Sequence, residues 1–294
     1  MTGMKYDPKR RLYLDDRGRA ISPAKVRKQI DGFITSEQKL VIQAARRLLS
    51  GEAEVEAFFR FMQTKVTAWH SITGTIAYGG KSEMNVERWA RLNARIFSEL
   101  GYLSEFQADA QASFTAAEII ANKVSIQVAK EFPQAQAEIR ERVSRALFTT
   151  APSEAVTVAK RAVIEVIGAE VPIVAGPEAG FLIGGTVENR ASLYPGTMWR
   201  THEMETLNRE RDAGVLKGRR RTEEDGNVCD GCMAAATEEF IPLDEIEEIG
   251  TQECGPRDRC EIEFGDEDSS FRTSEIFSGV ISGQERYGGD VELN

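Results

Sequence analysis

From Thr35 to about Leu147, apolar side chains return every three or four residues, a period that lines one stripe of an α-helix and no face of a strand. Leu40, Val41, Ala44, Ala45, Leu48 and Leu49 form the first stripe, with Ser36 placed to cap its start and Gly51 to end it. A second runs through Val55, Phe58, Phe59, Met62, Val66 and Trp69 and closes at the loop 76–81, which holds Gly79 and Gly80. A third, with Trp89, Leu92, Ile96 and Leu100, begins near Asn85 and stops at Gly101. A fourth covers Tyr102 to about Phe132, halted by Pro133, and a fifth Gln134 to Leu147. The spacing predicts a mainly α fold, with Phe58, Trp69, Trp89, Phe97 and Phe106 as core contacts.

Residues 1–34 read as an N-terminal arm or small hairpin. Arg11–Leu14 is strand-like, Asp15, Asp16, Arg17 and Gly18 form a turn cluster, and Ser22 with Pro23 starts a helix. Residues 35–150 are the helical body. Thr150–Ser153 then breaks the pattern, and Ser153 caps a further helix with Val156, Ala159, Val163 and Val166 inward, ending at Gly168. Val171–Gly185 is rich in Gly and Pro and reads as a linker or a pair of short strands. Its glycines lack the spacing of a nucleotide-binding loop, and no Gly-Lys-Ser/Thr follows. Helical patterning returns over 186–217, interrupted at Tyr194-Pro195-Gly196, so 151–221 forms a helical extension.

Charge is distributed unevenly. The net charge is −10. From Thr222 onward there are 21 acidic and 4 basic side chains, which leaves residues 1–221 with 33 basic and 26 acidic. A mildly basic body thus carries a strongly acidic C-terminal quarter. Such polarity suits docking to charged surfaces in an assembly, and equally a solvated tail. No run approaches the ~18 apolar residues of a membrane span. The polar N-terminal residues have no apolar signal region, so the expected environment is cytosolic.

All four cysteines fall within 32 residues: Cys229 and Cys232 two residues apart, then 21 residues, then Cys254 and Cys260 five apart. A tight C-x2-C turn presents two sulfurs to one ion, and a second pair from a distant turn closes a tetrahedral thiolate cage of the kind zinc prefers. Gly231 supplies the bend of the first turn, Gly255 and Pro256 that of the second. Phe240–Leu243 and Ile246 offer a small apolar core. A structural metal at Cys229, Cys232, Cys254 and Cys260 is one reading; disulfides and uncombined thiols are the others. A catalytic thiol is not expected, because His70 and His202 lie far away in sequence, and four cysteines leave a metal no open position. Residues 222–264 form this four-cysteine module, and 265–294 an acidic tail.

Three stretches of the module carry a family likeness. They are Val228–Ala236 around the C-x2-C pair, Phe240–Ile246, and Ile249–Cys254 with Arg259 and Cys260. With the lead-in Gly184–Thr186, Arg190–Tyr194 and Gly196–Glu203, they resemble the C-terminal end of minor head proteins of tailed phages, the head-morphogenesis or Mu F-like family. The Gly79-Gly80 loop, Met84, Trp89 and the Tyr102–Phe106 segment resemble its helical body, so the likeness spans about 70–264 and concentrates in 186–264. This resemblance implies a non-enzymatic virion component, portal- or capsid-associated, acting in head assembly. It further implies a location in host cytoplasm and then in the particle, with the portal or major capsid protein, or further copies of the chain, as partners. A decoration or cement protein and a neck adaptor are the neighbouring readings. A reading from another class is a zinc-ribbon nucleic-acid-binding protein using Arg219, Arg220 and Arg221 on phosphates. The carboxylates of Asp230, Glu238, Glu239, Asp244, Glu245, Glu247 and Glu248 oppose it by repelling a phosphate backbone. These carboxylates also raise a hydrolase reading, which a solvated acidic loop explains better.

Overall fold

A computed structural model describes residues 5–7, 10, 12–15, 17–174, 176–184, 186–222, 229–249 and 260–265. The fold is mainly α with a small C-terminal β-sheet. Its helices are α1 (Pro23–Leu49), α2 (Val55–Ala77), α3 (Val86–Ala129), α4 (Gln136–Leu147), α5 (Ala155–Ile167), α6 (Thr186–Leu193), α7 (Thr197–Asp212) and α8 (Asp230–Ala235). Strands β1 (Lys5–Asp7), β2 (Leu12–Leu14) and β3 (Ala20–Ile21) open the chain, and β4 (Lys217–Arg221), β5 (Ile241–Pro242) and β6 (Glu261–Phe264) close it. The segment 266–294, expected as an acidic tail, lies outside the described residues, as does Cys254. Among the described residues, no helix is long and apolar enough to cross a membrane.

Three helix boundaries expected from local signals are corrected. Ser36 caps nothing: α1 starts at Pro23, where Ser22 Oγ accepts from the Lys25 backbone N–H, and runs through Ser36 to Leu49. Gly101 does not end a helix either, since α3 is one 44-residue element. Leu92, Ile96, Leu103, Phe106, Ala110, Ala117, Ile120, Val124 and Val128 stay in helical phase across it and are all buried. An interior glycine costs a helix about 1 kcal/mol, less than burying a single large apolar side chain contributes. Ser153 sits in a short 3-10 turn, Pro152–Glu154, and α5 begins after it without a side-chain cap. Gly168, in contrast, ends α5 as expected, in the left-handed conformation.

The chain forms two compact units, each built from separated segments. The unit of Thr35–Ala68 and Ala94–Pro195 is helical. Phe58, Phe59 and Phe106 meet edge to face in it, and α4 and α5 close over the α3 residues Ala117, Ile120 and Val124. Residues 171–184 contribute Ile173 and Leu182 to that core in irregular backbone with one 3-10 turn, and the described part forms no strand. Of the aromatics expected inside, Phe97 is 73% exposed. It stands on a face of α3 that also carries Gly101, Ser104, Ala108, Ile119 and Ile126, all exposed. That face runs about 44 Å at 1.5 Å per residue and carries no charge.

The other unit comprises Met1–Ile34, Trp69–Asn93 and Gly196–Asn294. Its N-terminal sheet, in order β1-β2-β3, is antiparallel with Tyr6 opposite Tyr13 and Tyr13 opposite Ile21. Asp15 builds the β2–β3 turn by accepting from the backbone N–H groups of Arg17 and Arg19 and from the Arg19 side chain. These bonds, the Arg19 side chain foremost, hold its carboxyl down to about 2. The second sheet, in order β5-β4-β6, is antiparallel with β4 at its centre.

Gly79 shows how closely the N-terminal sheet is seated. It has φ +92°, and a Cβ there would overlap the Cβ of Tyr6 and stand 2.6 Å from the Tyr6 nitrogen. Backbone strain and this collision act together. Gly79→Ala is expected to lower stability by about 3 kcal/mol, read as a fall in the chemical-denaturation midpoint. An unchanged midpoint would contradict this seating of β1.

Candidate functional site

The candidate site is built around α7. This helix is polar in sequence, Thr-Met-Trp-Arg-Thr-His-Glu-Met-Glu-Thr, yet almost every residue from Thr197 to Glu210 is buried. Burying polar groups is tolerable only when each meets a partner. His70 on α2 lies between two hydroxyls, its Nδ1 with Thr201 Oγ1 and its Nε2 with Thr197 Oγ1. His202 contacts Glu203 through Nδ1 at 3.1 Å and the Tyr13 hydroxyl through Nε2 at 3.4 Å. Glu203 then accepts from the Ile262 backbone N–H of β6, and Trp199 Nε1 donates to the Cys260 carbonyl at 3.2 Å. Further along, Arg209 donates to Tyr13, to the Ala77 carbonyl and to Glu210. Its guanidinium carbon lies 3.5 Å from the centre of the Tyr6 ring, and Tyr6 donates to Glu210 at 2.8 Å. Tyr78 donates to Glu205 at 2.9 Å. One helix thus ties the N-terminal sheet, α2 and the strand following Cys260 together.

Burial pushes the phenols of Tyr6, Tyr13 and Tyr78 above their usual value of 10, most strongly by desolvating the phenolate. Arg209 opposes the shift at Tyr6 and Tyr13. Tyr194, in the helical unit, is raised for the same first reason. A phenol with a raised folded pKa contributes stability that is full below pH 10 and is lost as pH climbs toward the folded value. In an alkaline titration, the phenolate absorbance of these four should therefore rise together with loss of the helical circular dichroism. Ionisation of all four near pH 10 in a folded protein would contradict the burial.

The cysteine module packs against α7 in the same unit, where Met204 and Leu207 share one apolar cluster with Cys232 and Cys260. Cys229 caps α8, its sulfur accepting from the Cys232 backbone N–H at 3.3 Å, the contact expected of a C-x2-C turn. Cys232 and Cys260 are buried in one apolar cluster with Leu243, Ile246, Ile249 and Ile262, and Cys229 packs against it. The expected small apolar core is present. No disulfide joins Cys229, Cys232 and Cys260 to one another. Among the described residues, no three His, Cys, Asp or Glu side chains form a metal-holding group. Three of the four predicted sulfurs are brought into one cluster, and the fourth predicted ligand, Cys254, lies outside the described residues. Thiolate sulfur is the donor zinc prefers, but the three described cysteines do not by themselves form a group that could hold it.

The chain matches no family model, no curated protein and no solved structure.

The three successive arginines are divided by the strand period of β4. Arg219 pairs with Glu263 of β6 at 2.6 Å, donates to the Glu238 carbonyl and lies 5.0 Å from the Phe240 ring centre. Arg221 takes the other Glu263 oxygen at 2.7 Å. Arg220, between them, points inward and is 1% exposed. The sequence marked these residues only as a basic cluster. Alternation within a strand is the signal that separates them, and Lys-Gly-Arg-Arg-Arg has too little strand propensity to announce one.

Proposed function

We propose that the chain is a structural component of a tailed-phage virion, a portal- or capsid-associated minor head protein acting in head assembly. One observation carries this reading. The family-like residues of α7 are engaged in holding the unit together: Trp199 and Glu203 bind the backbone at Cys260 and Ile262, and His202 sits between Glu203 and Tyr13. A side chain whose hydrogen bonds fasten distant chain segments serves the scaffold. The uncharged outer face of α3 gives such a scaffold a long surface for a portal or capsid subunit. Zinc at Cys229, Cys232, Cys254 and Cys260 belongs to the same proposal, as a clip for the C-terminal module. The ion would restrain the turns that carry these cysteines and perform no reaction. The nucleic-acid alternative loses support from the pairing of Arg219 and Arg221 with Glu263, which leaves less charge for phosphates.

Mass spectrometry of purified particles, from a host carrying a phage that encodes this chain, tests the proposal. Peptides of the chain should co-purify with portal and capsid proteins, and deletion of its gene should yield defective heads. Absence from particles, with normal heads after deletion, would overturn it.

A further inference from the structure

The outer face of α3 stays exposed and uncharged from Phe97 to Ile126. Bulk sits toward its two ends, Phe97 at one and Ile119 with Ile126 at the other, and small side chains lie between. The segment 171–184 borders this face within the same unit. It runs antiparallel to α3, held by Gln127 to the Pro172 carbonyl, by Lys123 to Glu178 at 2.6 Å and by the Ser113 hydroxyl to the Ile183 N–H at 3.1 Å. Lys123 and Gln127 follow Asn122 and Ile126 by one residue, about 100° around the helix, so the segment lies along one margin of the face. Fastened there, it leaves Val174 86% and Phe181 61% exposed, while their neighbours Ile173 and Leu182 are buried. A strip ~10 Å wide along ~44 Å of helix offers about 440 Å² per copy, or ~900 Å² for two. Val174 and Phe181 bring that past the ~1,000 Å² expected of a specific interface. Soluble monomers rarely leave so long an apolar surface uncovered.

The order of side chains on this face fits a second copy of the same chain. Counted from the midpoint between Gln111 and Ala112, the exposed positions repeat in reverse. Ala108 stands as far from that midpoint as Thr115, Ser104 as far as Ile119, and Phe97 as far as Ile126. Two α3 helices laid antiparallel about a two-fold axis there would set Ile119 of each copy over Ser104 of the other, large against small. Phe97 would meet Ile126 at both ends, and the small central residues would let the helices approach closely. We propose that α3 pairs antiparallel with α3 of a second copy, with Val174 and Phe181 at the margin of the contact. The pairing is isologous, the commonest symmetry of soluble oligomers, and it suits a face that has no charge to recognise. It is independent of the virion reading, and a portal or capsid subunit using this face must first displace the second copy.

Sedimentation velocity of the full chain, between about 1 and 200 µM, tests the pairing, since a face of this size predicts a monomer–dimer equilibrium with a micromolar Kd. Ser104→Lys and Ile119→Glu, both at exposed positions, should each raise Kd by about tenfold or more, because each puts an unpaired charge into the contact. Their helical circular dichroism should match that of wild type. Combined in one chain, the two substitutions should bring Kd back to within about fivefold of wild type. Antiparallel pairing sets the introduced lysine of each copy against the introduced glutamate of the other, whereas parallel pairing would set like against like. A wild-type chain that stays monomeric over the whole range, as it would if another segment of the chain covered the face, overturns the proposal. So does a dimer that both single variants leave intact, or a double variant no tighter than the singles.

Discussion

Replacing Arg209 by methionine should lower the melting temperature by about 10 °C. The guanidinium is buried, pairs with the equally buried Glu210 at 2.7 Å, and also serves Tyr13 and the Ala77 carbonyl. Removing one partner of a buried pair strands the other charge, at a typical cost of 3 to 5 kcal/mol. In a chain of this size each kcal/mol moves the midpoint by about 2 to 4 °C. Glu210 would retain the Tyr6 hydroxyl as a donor, which softens the loss without cancelling it. The double variant Arg209→Met with Glu210→Met should recover much of the stability, since an apolar pair of similar volume needs no desolvation. Differential scanning calorimetry of wild type and the two variants is the check. A single-variant shift under about 1 °C would mean that the pair is solvated and that α7 is not the polar core described above.

The second large effect concerns the cysteines. Elemental analysis should find one zinc per chain, and exhaustive chelation should lower the melting temperature and unfold the module around β4–β6. Apparent binding energies of structural zinc sites reach about 10 to 16 kcal/mol in small domains, and that energy is folding energy. Cys232→Ser should reproduce the chelated state, because Cys232, one of the proposed ligands, is buried. A melting curve indifferent to chelator yet sensitive to reductant would replace the metal with a disulfide. Indifference to both would leave thiols that merely pack in the apolar cluster.

Much of the helical architecture was legible in the sequence, since a three-to-four residue period has one structural meaning when it persists. The errors were local signals read too literally. Gly101 and Ser36 look like punctuation, yet the buried stripe continues through both, and tertiary burial outweighs a cost of about 1 kcal/mol. Phe97 was misplaced for a related reason: hydrophobicity alone does not say which face of α3 is covered, and this side chain lies outside the buried phase.

The candidate site was legible in part. Cysteine spacing announced a module, and the module's apolar residues, Leu243 and Ile246, pack against Cys232 and Cys260. The polar core around α7 was not legible. Its sixteen residues have no apolar face, and burying Glu203, Glu205, Arg209 and Glu210 becomes favourable only when Tyr13, Tyr78, Tyr6 and the backbone at Ile262 and Ala77 arrive from segments far away in the chain. Arg220 was hidden in the same way, because its inward direction depends on β4 being a strand, and β4 is a strand because β5 and β6 pair with it.

The sequence by itself determined the mainly α class, the strand-like N-terminal arm and the clustering of its cysteines, because each follows from local periodicity, turn chemistry or spacing. The tertiary structure alone decided which polar side chains lie inside and which arginine of β4 turns inward. A buried charge is tolerated only by virtue of its partners, and those partners are brought together in space by packing that no single stretch of sequence encodes.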